Sequence, residues 1–366
     1  MRGRPLLHTS YASDMALLDT RAKRVAVAGL LAVAVVLPLL LADEVLQLLA
    51  LCCVAAIGAV GLNLVTGYAG QVSLGHAFFL AIGAYTGAAV SGDPAARVIG
   101  FGVTDMLVWL PAAGLVAAAA GVLVAPLATR LRGLYLAIVT LGLVFIGQHV
   151  FNEWSSLTGG VGVGRPAATL EVFGQRLDGA GASATRDQRL YWLMLLLMLA
   201  FALAAGNLAR SRVGRAFAAI RDRDVAAGVI GINVARYKTV AFAISSFYAG
   251  CAGALLYTIN GFMDPGSFNL LLSVQYIAMV LIGGAGTVSG AIAGAFFITL
   301  LPRLTREMQA WVPYLSTQPN EVPNVFQVET ILYGALIIVF LIFEPRGLFG
   351  LWIRVRNYWR AWPFSY

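Results

Sequence analysis

Long apolar runs separated by short polar segments dominate the chain. A helix needs about 20 apolar residues to cross a hydrocarbon core of ~30 Å. The eighth and ninth runs are short and flank a glycine-rich break. The pattern therefore predicts an all-α polytopic membrane protein with about ten transmembrane helices, and with eight at the fewest. The runs occupy 25–42, 45–66, 71–90, 108–129, 133–151, 190–208, 238–261, 272–284, 287–302 and 326–343.

Composition supports this class, and charge indicates an orientation. Hydrophobic residues make up 60% of the 366 residues and charged residues 11%, with a mean hydropathy of +0.82, which is far from soluble averages. Ten spans place both termini on one side, together with 18 of the 25 lysines and arginines. Basic residues are retained in the cytoplasm, so both termini are expected there. The net charge of +8 then reflects orientation and not nucleic-acid binding.

The pattern divides the chain into three parts. Residues 1–24 are expected to form a cytoplasmic tail, 25–350 the transmembrane domain with a cytoplasmic segment at 209–237, and 351–366 a second cytoplasmic tail. The first apolar run is too long for a secretory signal, so it is expected to be a retained span. The cysteines lie inside spans and predict packing, not disulfides: Cys52, Cys53 and Cys251.

Motifs that the sequence lacks restrict the energy sources that could drive transport. A phosphate-binding loop ends in Gly-Lys-Ser/Thr, whereas Lys23 follows an alanine and Lys238 a tyrosine, which excludes ATP hydrolysis by that route. Carboxylates avoid the middle of every predicted span, and this disfavours ion coupling, although the carbonyls of broken helices can bind sodium. His76 and His149 lack a second ligand at metal spacing, so neither a metal site nor a cofactor bound by this chain is predicted.

Two glycine-rich segments carry polar residues close to spans. Ala69-Gly-Gln-Val-Ser73 is echoed by Ala285-Gly-Thr-Val-Ser289, and paired glycine-interrupted spans point to a binding site at a repeat interface. Helix breaks are predicted at Gly67, Gly70, Gly75, Gly283, Gly284 and Gly286. The polar residues either line a translocation pathway or pack helices together, and both interpretations stay open. The pathway candidates are Asn63, Tyr68, Gln71, Ser73, His76, Thr287 and Ser289.

A charged segment between the sixth and seventh runs is predicted to be an amphipathic helix. Such a segment in an apolar chain needs an aqueous partner and indicates coupling to an external energy source. Phe217 and Ile220, one turn apart, are expected to face that partner. The alternatives are a solvated loop and a lipid-binding polybasic stretch, and aspartates argue against the second. The coupling candidates are Arg215, Phe217, Ile220, Arg221, Asp222, Asp224, Ala226, Ala227 and Gly231.

Five blocks resemble the LivH/LivM family of permeases from branched-chain amino acid ABC importers, of the LivM type. In chain order they are Gly67–Phe79 with Ile82–Tyr85, Leu131–Gly142, Leu157–Gly160, Gly214–Arg221 and Gly283–Gly290. The resemblance implies a permease domain that pairs with a second, LivH-like permease, two cytoplasmic ATPase subunits that bind ATP-Mg, and an external solute-binding protein, in the bacterial inner membrane. It also implies that the pattern Glu-Ala-Ala, three residues, Gly docks on the ATPase. Val225 replaces that glutamate, and Ala226, Ala227 and Gly231 match.

The expected function is import of branched-chain or related hydrophobic amino acids, with no enzymatic activity in this chain. A urea or short-amide importer of the same family is the first alternative. A stand-alone carrier or channel is the second, and a membrane enzyme is disfavoured because His76 and His149 lack nearby carboxylates. The loop from Asn152 to Arg189 is expected to face the external binding protein.

Overall fold

The computed structural model describes residues 21–131, 133–167, 170–172, 174–176, 185–307, 325–344 and 346–361. Most of the predicted N-terminal tail, and residues 362–366, lie outside this range. Residues 347–361 are helical, so the boundary predicted at 350 falls inside a helix. The helices are α1 (Arg21–Val36), α2 (Asp43–Asn63), α3 (His76–Ser91), α4 (Met106–Arg130), α5 (Leu134–Glu153), α6 (Ser155–Thr158), α7 (Arg186–Arg210), α8 (Arg212–Val229), α9 (Val234–Asn260), α10 (Leu270–Gly283), α11 (Val288–Glu307), α12 (Val325–Phe343) and α13 (Gly347–Ala361).

Each of the ten apolar runs overlaps a helix, which confirms the predicted all-α polytopic architecture. In the described part of the chain, seven helices are long and apolar enough to cross a membrane, and three shorter apolar helices accompany them. A π-helical turn, Leu64–Tyr68, extends α2. Exposed leucine and isoleucine side chains on the outer helices, such as Leu123, Ile146 and Leu196, suit a lipid environment.

Small residues let the central helices approach closely. Helix α9 packs against α2, α3 and α4. A Cβ on Gly250 would lie 2.5 Å from the Cβ of Ala117, and one on Gly83 would collide with the Gly250 backbone. Dispersion between closely packed backbones is the main source of helix association in a bilayer, because lipid removes the hydrophobic driving force. Helices α2 and α9 consequently form the most buried part of the bundle.

Alternate connections meet at opposite ends of the bundle. At one end, the connection after α2, which we call the first glycine connection (67–75), meets the second glycine connection (283–287) and the charged segment (209–237). We call this the coupling end. At the other end, strands β1 (Arg165–Pro166) and β4 (Phe262–Met263) pair antiparallel, with Arg165 opposite Met263. We call that the loop end.

Arg165 holds the loop end together. Its side chain is buried, with 2% of its surface exposed. Its Nη1 donates to the carbonyl of Leu157 at 2.7 Å, and its Nη2 donates to those of Ala88 at 2.6 Å and Ile99 at 3.1 Å. One guanidinium group therefore ties helix α3, the short helix α6 and the connection that contains Ile99 together.

A small hairpin lies beside it, formed by β2 (Glu171–Val172) and β3 (Gln175–Arg176). Hydrogen bonds from Thr104 and from Arg176, whose Nε lies 2.6 Å from Glu171 Oε1, hold the pKa of Glu171 below its ordinary value.

Candidate coupling and translocation site

The two glycine connections are joined through Asn63, at the end of α2. Its Oδ1 accepts a hydrogen bond from the Gly286 N–H at 2.8 Å, and its Nδ2 donates to the Thr287 carbonyl at 2.9 Å. The Tyr68 hydroxyl also accepts from the Val288 backbone N–H. Asn63 is fully buried, so these bonds satisfy groups that would otherwise be costly to bury. The two segments that share a sequence pattern thus form one unit.

Arg221 links the charged segment to this unit. Its Nη1 donates to the Gly67 carbonyl at 2.5 Å. A Cβ on Gly286 would lie 2.6 Å from the same nitrogen, and one on Gly70 would lie 3.0 Å from Arg221 Cγ. At Gly286, where φ is +83°, a side chain would displace the guanidinium from this position. One arginine therefore contacts both glycine connections.

The charged segment is not the single stiff helix that the sequence predicts. Helix α8 begins at Arg212, with the Ser211 hydroxyl accepting from the N–H groups of Val213 and Gly214, and it is interrupted at Arg223, where φ is −158° and ψ is 103°. Arg221 lies two residues before this interruption. The part after it, residues 224–229, is therefore a separate short helix whose orientation is set by one extended residue.

The expected docking face of the charged segment is wrong. Phe217 and Ile220 are buried, at 1% and 3% exposure, because α8 packs them against this chain's own helices. The exposed apolar side chains follow the interruption instead: Val225, Val229 and Ile230. Sequence reasoning missed Val229 and Ile230, although Val229 follows Val225 at the i, i+4 spacing of one helix face.

A glycine motif ends the second part of α8. The Ile232 N–H donates to the Ala227 carbonyl at 3.0 Å and the Gly231 N–H to the Gly228 carbonyl at 3.1 Å, while φ at Gly231 is +90°. These two bonds define a Schellman cap. Ala226 is exposed and Ala227 is buried. Nothing lies within 4 Å of a Cβ placed on Gly231, so the position demands a backbone conformation and not space.

Lys238 contacts the start of the second part of α8 through Asp224. This lysine on α9 is 2% exposed, lies 3.7 Å from an oxygen of Asp224, and donates to the Ala128 carbonyl near the end of α4 at 3.4 Å. A cation near a helix C-terminus is stabilised by the helix dipole. Asp224 is thus a positioning group, while Asp222 and Arg215 are exposed.

A cavity of about 450 Å³ opens at this place. Its lining combines the first glycine connection with the charged segment. Of the seven pathway candidates, only Gln71 lines it. The lining residues are Gly70, Gln71, Gly133, Ile220, Arg221, Asp222, Arg223, Asp224, Val225 and Lys238.

The other pathway candidates are distributed differently. The Ser73 hydroxyl is buried and accepts from the Gly75 N–H, and Thr287 donates to the Gly284 carbonyl at 2.9 Å. Ser289 is exposed. His76 is buried with its ring 4.8 Å from that of Tyr276. The structure therefore gives Ser73 and Thr287 local turn-forming bonds, and it separates His76 from the cavity at the coupling end.

The remaining predicted breaks have close neighbours. Gly75 precedes α3 and approaches the backbone of Thr140, whose hydroxyl accepts from the Leu74 N–H at 2.9 Å. Gly283 ends α10 against Gly290, and Gly284 approaches the Arg346 carbonyl. These contacts tie both glycine connections to neighbouring helices.

The described part of the chain is an apolar helical bundle in which a charged segment contacts two glycine-rich connections. This is the architecture of a polytopic membrane transport permease. A family model described as "Branched-chain amino acid transport system / permease component" matches residues 44–341. The chain therefore belongs to this permease family, as the LivM-type resemblance predicts.

Individual relatives agree with this assignment. High-affinity branched-chain amino acid transport system permease protein LivM of Escherichia coli (strain K12) is 31% identical over 340 residues, covering 87% of this chain and 73% of its own length. The corresponding LivH protein of Salmonella typhimurium is 27% identical over 304 residues, with 81% and 91% covered. A shorter match, 37% over 114 residues, covers 30% of this chain and 32% of the autoinducer 2 import system permease protein LsrC of Klebsiella pneumoniae. No solved structure matches the chain.

Proposed function

We propose that this chain is the permease subunit of an ATP-driven importer for branched-chain or related hydrophobic amino acids in the bacterial inner membrane. Its proposed partners are a second LivH-like permease, two cytoplasmic ATPases that bind ATP-Mg, and an external binding protein. The similarity to LivM and LivH supports this assignment. In this orientation the coupling end and both termini face the cytoplasm.

The observation that carries the mechanism is the contact of Arg221 with both glycine connections. Closure of the ATPases would displace the second part of α8, and the backbone of Asp222 and Arg223 would carry that displacement to Arg221 at the end of the first part. Arg221 would pass the displacement to Gly67 and Gly286, where α2, α10 and α11 end or begin. Because these helices cross the bundle, a shift at the coupling end tilts them and exposes the pathway to the opposite side.

The exposed apolar patch of Val225, Val229 and Ile230 is the proposed ATPase contact. It takes the place that the sequence assigns to Phe217 and Ile220. Val229→Asp would desolvate a charge at this interface and is expected to lower ATPase co-purification at least fivefold. Val161→Asp, an equally apolar and exposed position at the loop end, is the matched control and should retain full co-purification.

Uptake by reconstituted vesicles tests the function. Labelled leucine and labelled urea are supplied in parallel to vesicles that contain the chain with its partner subunits, with and without ATP inside. ATP-dependent leucine uptake is the expected result. Uptake of urea alone would select the short-amide importer, and transport without ATP or partners would overturn the ABC assignment.

A further inference from the structure

The last described helix, α13, follows the apolar helix α12 at the coupling end and has no part in the proposed coupling contact. A turn that contains Arg346 joins the two helices. The first turn of α13 packs on the second glycine connection, since a Cβ on Gly284 would lie 2.7 Å from the Arg346 carbonyl oxygen and 3.1 Å from Phe349 Cβ. A Cβ on Gly347, where φ is +62°, would lie 2.5 Å from the Ile282 carbonyl oxygen. The beginning of α13 is therefore packed tightly against the bundle.

The rest of α13 exposes a continuous apolar face. Successive residues of a helix are about 100° apart, so positions i, i+4, i+7 and i+8 share one side. Leu351, Val355, Tyr358 and Trp359 have this spacing, and Trp352 precedes Trp359 by seven residues. All five are exposed, and the two tryptophans most of all, at 61% and 74%. Tryptophan and tyrosine favour the boundary between membrane and water, where the ring meets apolar chains and its polar edge meets headgroups.

Arginines flank this face, and the helix contains no carboxylate. Residues 347–361 include Arg354, Arg356 and Arg360 but no Asp, Glu or Lys. At about 100° per residue, Arg354 and Arg356 fall on opposite borders of the apolar face. The Arg354 side chain is 70% exposed, although its Nη2 lies 2.8 Å from Glu344 Oε2. The Nε of Arg356 is buried without a hydrogen-bond partner among the described residues, and a phosphate oxygen or a water molecule would complete its hydrogen bonding.

Charge and position together indicate an anionic lipid surface as the partner of this face. Helices that lie in a membrane surface combine aromatic and aliphatic residues on one side with arginines beside them, and anionic headgroups attract those arginines. In the charged segment, by contrast, aspartates interrupt the arginines. Helix α13 also begins where an apolar helix ends, which places it close to the edge of the hydrocarbon core.

We propose that α13 is an interfacial helix, with its apolar face in the boundary between headgroups and acyl chains and with Arg354 and Arg356 on the headgroups of anionic phospholipids. The proposal goes beyond the proposed function and takes from it only the cytoplasmic orientation of the coupling end. Because the first turn of α13 packs on Gly284, a lipid-bound α13 also holds the second glycine connection at a fixed depth relative to the membrane surface.

Collision rates of a spin label test the position of α13. The full-length chain with Val355→Cys is labelled in nanodiscs of phosphatidylcholine and phosphatidylglycerol, and the native cysteines are buried. Oxygen concentrates in lipid, whereas a nickel chelate stays in water. The ratio of oxygen to nickel collisions should be at least fivefold higher than for Asn357→Cys, an exposed position about 200° around the helix.

Two results would overturn the interfacial helix. Equal collision ratios for Val355→Cys and Asn357→Cys would show that the apolar face is not in lipid. A label at position 355 that meets nickel freely in the chain alone, and is shielded only after ATPase subunits are added, would show that the face binds protein and not lipid.

Lipid charge and arginine variants test the headgroup contact. Without phosphatidylglycerol, the ratio for Val355→Cys should fall at least twofold, because the arginines lose their anionic partners. Adding Arg354→Gln and Arg356→Gln should give the low ratio in both lipids. Arg212→Gln with Arg215→Gln, at two exposed arginines of α8, is the matched control and should keep the dependence on lipid charge.

A ratio for Val355→Cys that is the same in both lipids would overturn the contact with anionic headgroups. None of these measurements uses ATP, partner subunits or transport in its main comparison. Failure of the interfacial helix would therefore leave the proposed importer standing, and failure of ATP-driven leucine uptake would leave the interfacial helix standing.

Discussion

Two arginines, Arg165 and Arg221, bind backbone carbonyls at opposite ends of the molecule and differ in nearly every other respect. Arg165 is buried and ties two helices and a connection together through the carbonyls of Leu157, Ala88 and Ile99. Arg221 is exposed, donates to the carbonyl of Gly67, and lies two residues before an interruption in its helix. The first arrangement resists displacement, whereas the second lies on an exposed part of α8 beside the interruption.

This difference assigns separate roles to the two ends. A buried guanidinium bonded to several carbonyls is expensive to disrupt, since each carbonyl loses a charge-assisted partner. A solvent-exposed guanidinium is readily rehydrated, so its contact can break and reform at low cost. We therefore expect the loop end to be a fixed frame and the coupling end to be the part that moves.

The largest expected effect is on the stability of the fixed frame at the loop end. Arg165→Gln leaves the carbonyls of Leu157, Ala88 and Ile99 without their charged donor, and each buried carbonyl left unsatisfied should cost about 1–3 kcal/mol of stability. Thermal aggregation of the detergent-solubilised protein should begin several degrees lower. Arg97→Gln, at an exposed arginine of the same end, is the control and should change little. An Arg165→Gln variant as stable as the control would contradict the role of Arg165 in the frame.

A smaller effect is expected from two glycines that share a backbone conformation. Gly286 and Gly231 both have positive φ, +83° and +90°, so alanine strains each by about 1–2 kcal/mol. Only at Gly286 does the new methyl also meet the Arg221 guanidinium, 2.6 Å from Nη1, because Gly231 has open space around it. Gly286→Ala should lower ATP-driven uptake at least tenfold, and Gly231→Ala should leave about half or more. Equal loss in both variants would show that backbone strain alone, and not the Arg221 contact, limits transport.

The smallest effect concerns pH at the loop end. Hydrogen bonds from Thr104 and Arg176 lower the pKa of Glu171 from its ordinary 4.5 in the folded protein. A lowered pKa gives stability that is present above the unfolded value and is lost as the pH falls through the folded value. The melting temperature of the wild type should therefore exceed that of Glu171→Gln by a small margin at pH 7, and the margin should shrink as the pH falls below 4.5. A margin that does not change as the pH falls below 4.5 would mean that the carboxylate charge is not its source.

Apolar length alone predicts the ten helices, because crossing a bilayer demands continuous hydrophobic runs and internal backbone hydrogen bonding. The pairing of the two glycine segments is also visible as a repeat, since both carry Ala-Gly-X-Val-Ser. The docking face of the charged segment is not predictable in this way. Phe217 and Val229 are equally apolar in the sequence, and only the packing of α8 on its neighbours decides which one is buried.

Sites built from distant residues escape sequence reasoning for a related reason. Arg165 counts in the sequence as one more loop arginine, because charges at span ends are expected on topological grounds. Its role emerges only when α3, α6 and the connection that contains Ile99 are brought together by the fold.

The most direct test of Arg221 is the coupling ratio, the number of leucine molecules imported per ATP hydrolysed by the reconstituted transporter. Arg221→Gln removes the contact with Gly67 and the packing on Gly286, while Arg215→Gln removes an exposed arginine of the same helix whose Nη1 donates to the Arg210 carbonyl. The account predicts continued ATP hydrolysis with a ratio at least tenfold lower in Arg221→Gln, and a wild-type ratio in Arg215→Gln. A wild-type ratio in Arg221→Gln would contradict it.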